Sequence, residues 1–349
     1  MELVNHTPLP ADLRVSGQVN TPNRRGFLHA KATFRFTKDR AELERDAPVP
    51  LFVAPTTRGA YLLPEDVSSH DRQPFEVMLV GRAVSAAGPV RHLRVRMALG
   101  NEVRELDVYG DRVWQGDQPS DPVPFTDMPL SWDRALGGTV DMEIDHGAKV
   151  RVSDPINPAG RGFDPQWWAD ALARELSPPP GFPRWPQAPR PLPNLEDPQA
   201  PIRRPDDRPT PWCWAPVPME AAAKVEHLLE QVPPGAEEMP EPIEREMVHA
   251  SLRQAHPCWW IPRPARGARL KLEGVLPEGE VDVSLPALRV VADYVAADRR
   301  GVIELTPQCL LVLPDEHLFT VNYRADFLIQ YREGDERGLR LRIEEGWYD

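Results

Sequence analysis

Apolar and polar residues alternate along Phe27–Phe36 (FLHAKATFRF), Leu93–Leu99 (LRVRMAL) and Val103–Tyr109 (VRELDVY), the period-two pattern of half-buried strands. Glu2–Asn5 alternates in the same way. Phe75–Ala83 (FEVMLVGRA) is a more continuous apolar run without helix caps and also reads as a strand. Gly100-Asn101 supplies turn residues between two of these runs, so they form a hairpin.

Beyond Tyr109 the periodicity fades. Residues 110–165 are rich in Gly, Pro and Asp, with Trp114, Phe125, Trp132 and Phe163 scattered among them, as in a long ordered loop or a surface rim. Pro165–Leu176 carries proline in its first turn followed by good helix formers, which predicts a short helix. Pro178–Pro218 holds 15 prolines and reads as an extended connector, anchored on a surface by Trp185, Leu192, Leu195, Trp212 and Trp214. Met219–Gln231 spaces Ala222, Val225, Leu228 and Leu229 as an amphipathic helix does.

Strand patterns return from Ala268: Arg269–Val275, Val281–Leu285, Leu288–Val295, Val302–Leu305, Cys309–Leu313, Leu318–Arg324, Phe327–Tyr331 and Leu339–Ile343. Short strands at this spacing indicate a sandwich or barrel-like sheet. The expected fold is mainly β. It has an N-terminal β-sandwich or barrel-like domain over 1–163, a Pro-rich central belt with two short helices over 164–248, and a C-terminal β-domain over 249–349.

Composition narrows the partners. Proline accounts for 42 of 349 residues, which makes long helices scarce. A net charge of −12 repels phosphate backbones and anionic lipid, so a protein with a basic patch is expected rather than nucleic acid. Cys213, Cys258 and Cys309 make no disulfide framework. The amino terminus MELVNHTPLP lacks a basic n-region and an apolar h-region, and no window reaches the ~18 apolar residues of a membrane span. The expected location is the cytoplasm, without membrane insertion.

A search for chemistry assembles no complete catalytic or cofactor site. The best metal candidate, His249, His256 and Cys258, lacks the repeated spacing of a zinc site. Cys258 precedes Trp259-Trp260 and reads as a buried apolar thiol. Ser131 has no nucleophile-elbow glycines, and no phosphate-loop pattern occurs. Gly137-Gly138 and Gly160-Arg161-Gly162 read as positive-φ backbone positions. Asp141, Glu143 and Asp145 share one strand face and read as solvated carboxylates. No enzyme activity, cofactor or metal is expected.

The specific signal lies in the loops. It comprises Tyr109, Gly110, Asp111, Arg112 and Trp114, then Pro129, Trp132, Arg134, Gly137 and Gly138, then Asn157, Pro158, Gly160, Arg161, Gly162 and Phe163. Arginine among aromatics and glycines suits either a buried-Arg loop scaffold or a protein-binding surface. The chain strings together MELVN, KATFRF, YGDRVW, PFTDMPLSWDRALGG, NPAGRGF and LPNLE (Leu192–Glu196). In this order and spacing it resembles a bacterial domain-of-unknown-function family encoded beside type VI secretion genes. Looser similarity continues through Ala250…Gln254, Arg266–Val275 and Phe319–Arg324.

The resemblance implies an adaptor chaperone that loads a toxic effector onto the secretion spike or its tip, with no catalytic residues to carry over. Ser251-Leu252 and the acidic stretch Glu220–Glu246 depart from the pattern, which makes Glu237, Glu238 and Glu241 the candidate partner-specific patch. Two rival readings stand beside it. One is a carbohydrate-active β-sandwich using Trp167-Trp168 and Trp259-Trp260, and the other is a structural piece of the secretion machine.

Overall fold

In chain order the principal strands are β1 (Glu2–Asn5), β2 (Ala11–Ser16), β3 (Asn23–Phe36), β4 (Phe75–Leu79), β5 (His92–Leu99), β6 (Glu102–Tyr109), β7 (Thr139–Asp145) and β8 (Ala148–Ser153). They continue as β9 (Leu195–Glu196), β10 (Trp260–Ile261), β11 (Arg269–Glu273), β12 (Val281–Ser284), β13 (Leu288–Ala296), β14 (Arg299–Leu313), β15 (Leu318–Gln330) and β16 (Arg337–Glu345). The computed structural model describes residues 2–16, 23–58, 61–63, 65–67, 74–145, 148–154, 156–164, 190–217, 253–296, 299–330 and 337–345. Among these, helical structure is confined to the three-residue turns Trp132–Arg134, Pro257–Trp259 and Pro314–Glu316. No helix among them is long and apolar enough to cross a membrane. The expected helices Pro165–Leu176 and Met219–Gln231 lie outside the described residues.

A ten-stranded sheet runs β1-β16-β13-β14-β15-β3-β2, with the short strand Ala41–Leu43 joining β3, β4 joining β14 and β10 joining β4. Its two ends, β1 and β2, are consecutive in sequence, so the sheet curls into a nearly closed barrel. A five-stranded sheet, β9-β6-β5-β11-β12, packs on it. Both sheets therefore draw strands from segments 1–163 and 249–349, which were expected to be separate β-domains. The reason is that β-pairing ignores sequence distance. β3 pairs β15 along its whole length, and β5 pairs β11.

Some strand boundaries also differ. Val302–Leu305 and Cys309–Leu313 belong to one strand, β14, whose register shifts between Pro307 and Cys309. A proline cannot donate to the ladder and is tolerated at such an irregularity. The run Phe75–Ala83 breaks after β4, and Arg82–Val84 pairs instead with Asp127–Pro129.

The core forms from in-register rows. Leu79, Val312, Phe319 and Phe34 follow one another across four strands, and the Phe34 and Phe319 rings stack at 5.1 Å. They share one buried core with Val95, Met97, Leu106, Val108, Leu270 and Leu272 of the smaller sheet. On the opposite side of β3 and β15 the buried row is polar. Lys31 pairs with Asp66, and Asn322 donates to the other Asp66 oxygen at 2.6 Å. Burial pushes the Lys31 ammonium below its usual pKa, while Asp66 pulls it back up.

Candidate functional site

The β5–β6 hairpin delivers Tyr109 to one end of the smaller sheet, and the motif loops begin there. A Cβ at Gly110 would lie 1.7 Å from the Val123 carbonyl oxygen, so only glycine allows the two loops to approach this closely. Arg112 then turns inward and is 7% exposed. It lies 4.0 Å over the Tyr109 ring and donates to Pro193 O at 2.8 Å and to Glu196 Oε1 at 2.5 Å. Glu196 stands in β9, in register with Asp107 of β6, and its other oxygen accepts the Ile202 N–H at 3.1 Å. Burial raises the Glu196 pKa, against the pull of Arg112.

Asn194 ties these loops together from a fully buried position. Its backbone N–H donates to Arg134 O and its carbonyl accepts from the Tyr109 N–H, each at 2.8 Å. Its side-chain amide donates to Tyr109 O at 3.0 Å and to Asp111 Oδ1 at 3.1 Å, while its Oδ1 accepts from Arg134 at 3.3 Å. Asp111 Oδ1 also accepts from Arg161 at 2.9 Å and from Arg134 at 3.4 Å. Partial burial works against ionisation of Asp111. The Asn194 amide and the two guanidinium groups outweigh it and hold the carboxyl below its usual pKa. Burial and the neighbouring Arg134 push Arg161 down, which Asp111 partly offsets. The Asp111 and Asp133 side chains are 63% and 56% exposed, against 26% for Arg134 and 25% for Arg161, so carboxylates form the outer edge of this cluster.

Below that edge, Trp132 is 5% exposed and donates from Nε1 to Ala215 O at 3.1 Å and Pro216 O at 3.0 Å. Asn157 is buried, and its amide donates to Trp132 O and Leu136 O at 2.8 and 2.9 Å. Gly137 and Gly138 adopt φ of 136° and 127°, as the sequence reading expected, and the Gly138 N–H donates to Asn157 O at 2.8 Å. Leu136-Gly137 pairs in parallel with Arg161-Gly162, and the Phe163 N–H returns to Gly137 O at 2.8 Å. Gly160 lies against Asn157, and the exposed Pro158 accepts from Thr139 Oγ1 at 2.9 Å. Pro129 pairs with Arg82, and Trp114 meets the Arg190 guanidinium at 5.5 Å. From this base rises the two-stranded β7–β8 ribbon, where Asp141 pairs with Arg151.

Of the remaining chemical candidates, His249 lies outside the described residues, and His256, Cys258 and Trp259 are packing groups. His256 is 4% exposed, donates from Nε2 to Pro211 O at 3.1 Å and accepts the Cys258 N–H at Nδ1. Burial lowers its pKa to about 4. Burial pushes the Cys258 thiol up, and Cys213 up to about 12, so neither is a thiolate at neutral pH. Trp259 has no exposed surface and stacks edge-on with Trp214 at 5.7 Å, which removes it as a sugar platform. Among the described residues no group of His, Cys, Asp and Glu is placed to hold a metal ion.

A family model described as an uncharacterized protein conserved in bacteria (DUF2169) matches residues 23–324. The chain belongs to this family. No curated protein and no solved structure matches it. The DUF2169 match spans every motif loop described above, from Tyr109 to Phe163, and Asn194 with Glu196. Asn194 and Glu196 are the members that residue-by-residue reading did not single out. Their signal was the LPNLE run itself. Glu237, Glu238 and Glu241, and the pair Trp167-Trp168, lie outside the described residues.

Proposed function

We propose that this DUF2169 protein is a cytoplasmic adaptor chaperone that binds a type VI secretion effector and presents it to the secretion spike or its tip. The observation that carries the reading is the convergence of the motif loops. Chain segments far apart in sequence meet around Asn194 and end in an exposed edge formed by Asp111 and Asp133. A pre-organised surface of this kind binds with little ordering cost, and its acidic edge suits a basic segment of the partner. The burial of Arg112 and Trp132 favours a scaffold that presents a surface over a site that performs a reaction.

The acidic stretch containing Glu237, Glu238 and Glu241 is proposed to choose among effectors, through long-range attraction that sets association rate more than final affinity. The test is affinity purification from the native bacterium, followed by titration of the co-eluting protein. Asp133→Arg should weaken binding at least tenfold while the melting temperature holds. Charge reversal at the three glutamates should slow association, and raised salt should mimic it. Recovery of no effector or spike component, or unchanged binding by all variants, would reject the proposal.

A further inference from the structure

We infer that a cavity between residues 47–58 and the turn joining β14 to β15 is a binding site for a small, uncharged aromatic molecule. It measures about 340 Å³, at the lower end of the ~300–1,000 Å³ range of small-molecule sites. None of its lining residues belongs to the motif loops, so the inference stands apart from the adaptor reading.

The lining is made of rings and aliphatic chains. Pro48, Val49, Pro50 and Phe52 come from one stretch of chain, and Leu63 and Leu318 from two others. Proline fixes the backbone φ at two of these positions, and the large sheet holds the stretch in place. The Val49 N–H donates to Thr33 Oγ1 of β3 at 2.9 Å, and the Lys31 ammonium donates to Pro50 O at 3.1 Å. Phe52 is held through both backbone groups. Its N–H donates to Asp66 Oδ2 at 2.6 Å, and its carbonyl accepts the Asp66 N–H at 2.7 Å. The cavity is therefore built before a ligand arrives, which lowers the ordering cost of binding.

Charge sets the class of ligand. Two cations lie at the cavity or beneath it, and each already has a carboxylate. Arg58 pairs with Glu316 in the lining, and Lys31 pairs with Asp66 under the Phe52 ring. An ionic ligand would give up its hydration and find no unpaired counter-charge among the lining residues. A neutral apolar one gives up nothing comparable.

Phe52 selects a ring. The Lys31 ammonium sits 4.2 Å from its centroid and is fully buried, so the cavity meets Phe52 away from that charge. A cation over one face draws electron density toward itself, and the rest of the ring then attracts an electron-rich aromatic such as indole.

The experiment titrates the full-length protein with indole, followed by ligand-detected NMR, beside benzoate and the peptide N-acetyl-Gly-Trp-Gly-amide. The same titrations are run on Ala47→Trp and Thr57→Trp. Both positions are exposed lining residues, so a tryptophan there enters the cavity from its rim and leaves the core alone. Indole should bind saturably with a Kd on the order of 1 mM or below, and benzoate at least tenfold more weakly. Each tryptophan variant should weaken indole binding at least tenfold while its melting temperature stays within a few degrees of wild type. Three results would overturn the inference: no saturable indole binding to wild type, undiminished binding by both folded variants, or benzoate binding as tightly as indole. A peptide that binds tenfold tighter than indole would also overturn it, because the occupant would then be a side chain of a polypeptide partner.

Discussion

Arg112 donates to Glu196 at 2.5 Å with the two side chains only 6% and 2% exposed, which buries a charge pair at the base of the motif loops. Removing one member of such a pair strands the other without solvent. Glu196→Ala or Arg112→Met should each destabilise the protein by about 3–5 kcal/mol. The double variant Arg112→Met/Glu196→Leu should cost less than either single change, because no charge is left uncompensated. Denaturant midpoints of the three variants check this. Singles that cost under about 1 kcal/mol would mean that water reaches the pair.

Trp132 contributes both buried area and an indole N–H. Trp132→Ala should cost about 3–5 kcal/mol, whereas Trp132→Phe should cost about 1 kcal/mol for the lost bonds to Ala215 and Pro216. Arg134→Ala, at a partly exposed side chain, should cost less than Trp132→Ala. Equal losses for Trp132→Ala and Trp132→Phe would show that the hydrogen bonds dominate over packing.

At Gly137 a Cβ would lie 2.2 Å from Asn157 O, on a backbone with φ of 136°. Gly137→Ala should therefore destabilise by about 3 kcal/mol through strain and displacement of Asn157. Gly338→Ala is the matched control, since nothing lies within 4 Å of its added carbon. Thermal melts of the pair should diverge, and coincident melts would show that the 157–160 loop yields freely.

His256 sets an acid limit. Its pKa is about 4 in the folded protein and near 6.5 in the unfolded chain. The unfolded chain thus binds a proton that the native protein refuses, so this contribution is intact above pH 6.5. It is lost as pH falls to about 4, by about 3 kcal/mol in all. Glu196 works in the opposite sense, because its raised pKa weakens the fold as pH climbs through the carboxylate range. The difference in stability between wild type and His256→Gln isolates the histidine. That difference should shrink between pH 6.5 and 4, and a flat one would place the imidazole in contact with water.

The sequence by itself determined the local half of this protein. Alternation along FLHAKATFRF and VRELDVY determined β3 and β6, because the side-chain period of a strand is carried by the residues themselves. Gly137-Gly138 announced a backbone that no other residue adopts cheaply, and positive φ is what they have. The tertiary structure decided which strand meets which. Nothing in β3 names β15 as its partner, and nothing at Leu3 names Leu339 across the parallel ladder at one end of the sheet. The meaning of the polar residues was decided there too. Lys31 reads as a solvated strand position until Asp66 arrives from a separate loop. Asn194 is one amide in a proline-rich run until Tyr109, Asp111 and Arg134 converge on it. Buried hydrogen bonds between distant segments depend on where the chain returns in space, and hydrophobic periodicity does not encode that position.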